Sequence, residues 1–195
     1  SKGPLTRIRK TSPQTKSPTA TKTLFIVLLR ETAHKRLEGC ALGNLGDLYL
    51  NQNKLKEARE YLETAVEISS EVGYKVPEGA FLGSLSELHR LENDLEKSRE
   101  YINRAEVLMR QANDAIELAK VICRKGWLDL IQNDLTASQS AFSEARKITD
   151  SLGIHPSNSL AISITKLGDE IDKTSKEGGF ASPEDTSTRV AGQIN

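Results

Sequence analysis

The stretch LGNLGDLYLNQNKLKEAREYLETA, residues 42–65, decides the fold because the chain repeats it. It returns forty residues later as LGSLSELHRLENDLEKSREYINRA, residues 82–105, and again, more distantly, as ICRKGWLDLIQNDLTASQSAFSEA, residues 122–145. The three align without a gap. Leu42, Leu82 and Ile122 coincide, as do Leu48, Leu88 and Leu128, then Leu55, Leu95 and Leu135, then Leu62, Ile102 and Phe142, and finally Ala65, Ala105 and Ala145. A chain that repeats at fixed spacing is a stack of one supersecondary unit, in which each copy covers the apolar face of its neighbour.

Within a copy, Leu42, Leu45 and Leu48 step by three, and Leu55, Ala58, Leu62 and Ala65 step by three, four and three. Each set falls on one face of a helix, so each copy reads as a helical hairpin. The links are NQNK, LEND and IQND, with Asn53, Asn93 and Asn133 at the third place. Asn accepts the left-handed conformation that ends a helix, and Asp94 and Asp134 are good N-caps for the next one. The second helices are expected to stop at Gly73, Asn113 and Gly153, which also tolerate positive φ. Ala58, Ala65 and Gly46 leave out side-chain volume, so the paired axes can approach closely while leucines fill the grooves.

Outside the copies the composition changes. Residues 157–173 read as one amphipathic helix, with Leu160, Ile164 and Leu167 on one face, that caps the stack. At the other end, Leu24–Thr32 stands where a preceding second helix would finish, and Ala33, His34 and Lys35 fall where Gly73, Tyr74 and Lys75 fall later. Either the chain opens inside a longer array or this segment is an unrelated hydrophobic cap. Residues 1–22 and 174–195 hold few apolar side chains, so both are expected to be disordered. The repeat domain is then 23–173, with repeats near 38–73, 78–113 and 118–153.

Of 27 basic and 27 acidic residues, Lys2, Arg7, Arg9, Lys10, Lys16 and Lys22 lie in the first 22 positions, where no acid occurs. The remainder carries 21 basic against 27 acidic residues and is negative. The longest apolar run, LFIVLL at 24–29, is far below the roughly 20 residues a membrane helix needs. Cys40 and Cys123 make no disulfide framework and no zinc-type spacing. Placed on first helices two repeats apart, they are expected roughly 20 Å from each other. An intracellular, cytoplasmic protein is expected. The first residue is Ser, as in a processed or partial chain.

The first copy resembles the tetratricopeptide repeat. That pattern, W-x2-L-G-x2-Y followed by A, F, A and P, is matched by Leu42, Leu45, Gly46, Tyr49, Ala58, Leu62 and Ala65, with Leu in place of Trp and Phe. The second copy departs at Ser86, His89 and Ser98; the third keeps Gly126, Phe142 and Ala145 but departs at Lys125 and Asp129. The resemblance implies an all-α, right-handed α-α superhelix of three hairpins plus the capping helix. The period exceeds the usual 34 residues by six, which would lengthen a helix by about 9 Å. In this it is similar to the long-helix repeats of kinesin light chains, spindle-orientation adaptors and regulatory arms of bacterial signalling proteins. Residues 152–171 resemble the ends of repeat arrays attached to bacterial kinases and ATPases.

No nucleophile with a base, carboxylate pair, metal cluster or phosphate loop is legible, so neither catalysis nor a cofactor nor a metal is expected. His34, His89 and His155 are scattered, and His89 takes the place of a packing Tyr. The glycines of LGNLG lie inside a helix rather than in a strand-to-helix turn.

What the resemblance implies instead is a surface. In the family the first helices line a concave groove. Its positions correspond to Cys40, Gly43, Asn44, Asp47, Leu50 and Asn51 in the first copy and to Ala80, Gly83, Ser84, Glu87, Arg90 and Leu91 in the second. In the third they are Lys120, Cys123, Arg124, Trp127, Leu130 and Ile131. Asn44 resembles the groove asparagine that grips a peptide backbone, its alternative being a solvated helix residue. Trp127 is either a binding anchor or part of the core. Asp47 and Glu87 make one half of the groove acidic, and Lys120 and Arg124 make the other basic, so a ligand of mixed charge fits.

The expected partner is a protein or peptide, touching Asn44, Asp47, Asn51, Ser84, Glu87, Lys120, Arg124 and Trp127. The role is that of a scaffold or regulatory part of a larger signalling assembly. A self-associating structural module is the alternative. The basic arm suggests nucleic acid or an acidic membrane surface less well, having no aromatic residue to stack. Its SPQTKSP stretch also offers two Ser-Pro phosphorylation sites.

Overall fold

A computed structural model describes the backbone of residues 18–177, with side chains from residue 31 onward. The described residues form seven helices and no strand. These are α1 (Pro18–Asn51), α2 (Leu55–Glu71), α3 (Lys75–Leu91), α4 (Leu95–Ala112), α5 (Ala115–Ile131), α6 (Leu135–Ser151) and α7 (Ser159–Lys176). By its contacts the chain divides into residues 1–34 and residues 35–195. The layers described next belong to the second of these units.

Short-range chemistry sets every turn. Asn53, Asn93 and Asn133 have φ of 57°, 62° and 66°, and Gly73, Asn113 and Gly153 have 64°, 56° and 62°. After Asn53 the Lys54 amide donates to the Tyr49 carbonyl at 2.9 Å and the Asn53 amide to Leu50 at 2.9 Å, which satisfies carbonyls that a helix end leaves bare. The same pair of bonds follows Leu91 and Ile131. Asp94, Asp114 and Asp134 each accept an amide of the next helix's first turn, at 3.1, 3.0 and 2.9 Å. For Asp94 this bond, with Lys97 alongside, holds the carboxyl below its usual 3.8.

Each second helix then lies between two first helices. Ala58, Leu62 and Ala65 of α2 pack on Phe81, Leu85 and Leu88 of α3, with Leu42, Tyr49 and Leu50 of α1 against the same cluster. Ile102, Ala105 and Met109 of α4 repeat this between Leu82 of α3 and Val121 and Leu128 of α5. Ala141 and Ala145 of α6 share a third cluster with Ile122, Trp127 and Leu130 of α5 and Leu160, Ile164, Leu167 and Ile171 of α7. Phe142 is only half-buried, resting against Gly168 of α7. Where Ser86 and Ser98 stand for Gly and Ala, the Ser86 hydroxyl donates to the Ser98 carbonyl at 2.9 Å, so the extra polar atoms are paired.

Two features recur between layers. Tyr49 stacks on Tyr61 with centroids 5.4 Å apart, and His89 stacks on Tyr101 at 5.2 Å, in the same places one copy on. Arg59 of α2 reaches forward to His89 of α3 and to Glu92 just beyond it, and Arg99 of α4 reaches to Asp129 of α5 and to Gln132 just beyond it.

Three expectations about the ends change. Residues 18–22, assigned to the basic arm, lie in the first turns of α1; Pro18 can open a helix because its missing N–H is one that would go unpaired there. The rest of that arm, 1–17, lies outside the described residues. Ala33–Lys35 form no turn: they are helical, since Ala33 has a Cβ where Gly73 has none to obstruct positive φ. The capping helix runs to Lys176 rather than 173, because Thr174 continues the buried stripe of Leu160, Ile164, Leu167 and Ile171. Residues 178–195 lie outside the described residues.

Candidate interaction groove

First helices and the cap bring one set of side chains together. A cavity of about 300 Å³ is lined by Asn51 at the end of α1, Glu87 of α3, and Lys120, Cys123, Arg124 and Trp127 of α5. The α7 residues Ser159, Leu160, Ser163 and Lys166 close the other side. Five of the eight expected contact residues thus meet, from helices far apart in sequence.

Their surroundings assign them different tasks. Trp127 is 6% exposed and belongs to the α5–α6–α7 cluster, so it is packed and lines the cavity at once. Cys123 beside it is buried; burial pushes its thiol up to about 12, although Arg124 pulls the other way, which leaves it a protonated apolar wall. Lys120 donates to Glu117 at 2.6 Å. Glu87 is held by two bonds from buried Arg90, at 2.8 and 2.6 Å. Arg124 crosses α3 where Gly83 has no side chain: a Cβ there would sit 2.6 Å from its Nη1.

Asp47 and Ser84 act on one another. Ser84 is 2% exposed, so it is no open contact residue; its hydroxyl faces the Asp47 carboxylate. Burial raises the Asp47 pKa above 3.8, against the lowering pull of Ser84, Arg124 and Lys120, with Glu117 adding to the rise. A carboxyl whose folded pKa is raised costs stability once ionised, so this cost is absent below pH 3.8 and complete above the folded value. Asn44 is exposed and does not line the cavity.

Several positions that the resemblance placed on the groove are instead buried. Gly43 lies under the Phe81 ring, and Leu130 and Arg90 are covered, because adjacent first helices pack directly on each other. The α7 residues were not anticipated. Their signal was present in the small polar side chains at 159 and 163, which flank Leu160 at the edge of the apolar stripe of α7.

Among the described residues no group of His, Cys, Asp or Glu is arranged to hold a metal ion, and no helix is long and apolar enough to cross a membrane. Stacked helical hairpins with a lined groove define a class, the helical-repeat proteins. Residues 37–111 match the family model of the tetratricopeptide repeat, and this part of the chain is a tetratricopeptide repeat segment. Such repeats generally mediate protein–protein interaction and are typically non-enzymatic scaffolds. No curated protein matches the chain.

Proposed function

We propose that this chain is a non-catalytic interaction module that holds a peptide or protein segment against α1, α3, α5 and α7, centred on the Trp127 cavity. The observation that carries this reading is the convergence there of an apolar floor, Trp127, Cys123 and Leu160, with the polar groups of Asn51, Glu87, Lys120, Arg124 and Lys166. Cavities that orient a ligand combine these two kinds of surface. A segment of mixed charge with one apolar anchor suits it, the anchor entering beside Trp127 and an acidic group meeting the cations. A regulatory place in a larger signalling assembly is the finer reading, supported by the likeness of residues 152–171 to array ends attached to bacterial kinases. A cytoplasmic setting accords with two free cysteines.

The test is capture of partners from source lysate by the full chain and by Lys120→Glu and Ser163→Trp variants, both partly exposed positions whose folding is checked by circular dichroism. A partner retained by the parent and lost, by roughly tenfold or more, from both folded variants is the expected result. Equal retention would remove the cavity from the reading.

A second reading, self-association, rests on a separate observation. Leu48 is 51% exposed and Leu37 69%, although Leu88 and Leu128, the counterparts of Leu48, are fully covered by α2 and α4.

A further inference from the structure

The third hairpin lacks something that the first two possess. At the place where Tyr49 stacks on Tyr61, and His89 on Tyr101, the third copy has Asp129 and Ala141. Two rings have been replaced by a carboxylate and a methyl group. Both residues line a cavity of about 360 Å³ between α4, α5 and α6, within the size range of pockets that hold small ligands or single side chains. This cavity shares no lining residue with the Trp127 cavity.

Two further exchanges at neighbouring positions change the walls from apolar to charged. Lys125 stands where Leu45 and Leu85 stand, and Glu106 where Val66 stands. They pair across the gap, Lys125 Nζ to Glu106 Oε2 at 2.7 Å, while Arg99 pairs with buried Asp129. At the rim, Asp134 is held by the Ala137 amide and Glu144 by Arg110 at 2.8 Å. Four carboxylates therefore face three cations, Arg99, Lys125 and Arg110, and every charged wall group already has a partner. The apolar part of the lining is Ile122, Ala137 and Ala141.

We infer that this cavity is a second binding site, which takes one aromatic side chain of a partner protein, with a basic neighbour in that partner meeting the acidic rim. The inserted ring would stand where Tyr61 and Tyr101 stand in the other hairpins, over small side chains and beside a guanidinium, Arg99, a surrounding that favours an aromatic face. The excess carboxylate at the rim selects the cationic neighbour. This site is independent of the groove, so each can exist without the other.

The probe is the peptide acetyl-Lys-Tyr-Lys-amide, followed by amide chemical shifts of the full chain. Saturable shifts at Ile122, Asp129 and Ala141 are expected by about 10 mM, the range of a weak single-residue contact. Acetyl-Lys-Leu-Lys-amide and acetyl-Glu-Tyr-Glu-amide should shift these amides at least fivefold more weakly, by order of magnitude. Ala141→Tyr, which supplies the ring from within as Tyr101 does, should abolish the response, and Glu144→Lys, at an exposed rim position, should weaken it. Lys120→Glu should leave it unchanged. No saturable shift, an equal response to the leucine peptide, or an unaltered response in folded Ala141→Tyr would overturn the proposal; if Ala141→Tyr does not fold, an unaltered response in Glu144→Lys would do so.

Discussion

His89 shows how one side chain can carry a condition on the whole fold. It is 2% exposed, stacked on Tyr101, with Nε2 3.2 Å from an Arg59 nitrogen and Nδ1 lacking a hydrogen-bond partner. Burial, and then the Arg59 charge, hold its pKa below the usual 6.5, against the opposing pull of Glu92 and Asp94. The unfolded chain therefore takes up a proton on His89 before the folded one does, so stability falls as the pH drops below 6.5 towards the folded value. His89→Tyr, which copies Tyr49, is expected to flatten that limb: the loss of melting temperature between pH 7 and pH 5 should be smaller than in the parent. An equal loss in the variant would show that His89 is not its source. At this scale the positive-φ asparagines and capping aspartates were legible, since they depend on neighbours within a few residues. The pairing of Asp47 with Ser84 was not, because it joins α1 to α3 and no local pattern encodes which groove position will be covered.

At the scale of the element, the forward-reaching arginines give each second helix a grip on the next first helix. Arg59 and Arg99 have Gln139 as their counterpart in α6. By the same spacing Gln139 faces Asp169 and Asp172 of α7, and all three line a cavity of about 540 Å³. Gln139→Arg should place a guanidinium between these carboxylates and stabilise the cap by about 0.5 kcal/mol, the usual worth of an exposed pair. Hydrogen exchange of the α7 amides is the measurement; slower exchange is expected there, with α2 and α3 unaffected, and unchanged exchange in α7 would refute it. The helices themselves were readable from residue spacing, including the cap. Its final turn was not, because Thr174 is polar and joins the stripe only through burial against the neighbouring layer. Likewise nothing in the run 24–35 distinguishes the end of a separate helix from the interior of α1 except the Ala at 33.

For the molecule as a whole, the covering of Leu88 and Leu128 by preceding second helices leaves Leu48 without such cover. Should self-association operate, it would use this face. Sedimentation of the parent at tens of micromolar would then show a dimer that Leu48→Glu dissociates, weakening it by roughly tenfold or more. A monomeric parent would dispose of the second reading.

The matching backbone of the turns at Asn53 and Asn93, with φ of 57° and 62°, has one more implication. Removing residues 54–93 and splicing Asn53 directly to Asp94 would rejoin one left-handed asparagine to a residue that already follows one, now bringing α4 against α1 through the same leucine and alanine positions that α2 used. The chain is thus built so that a whole cassette can be lost or duplicated while every surviving neighbour still meets a matching surface, and its length can change in evolution one layer at a time.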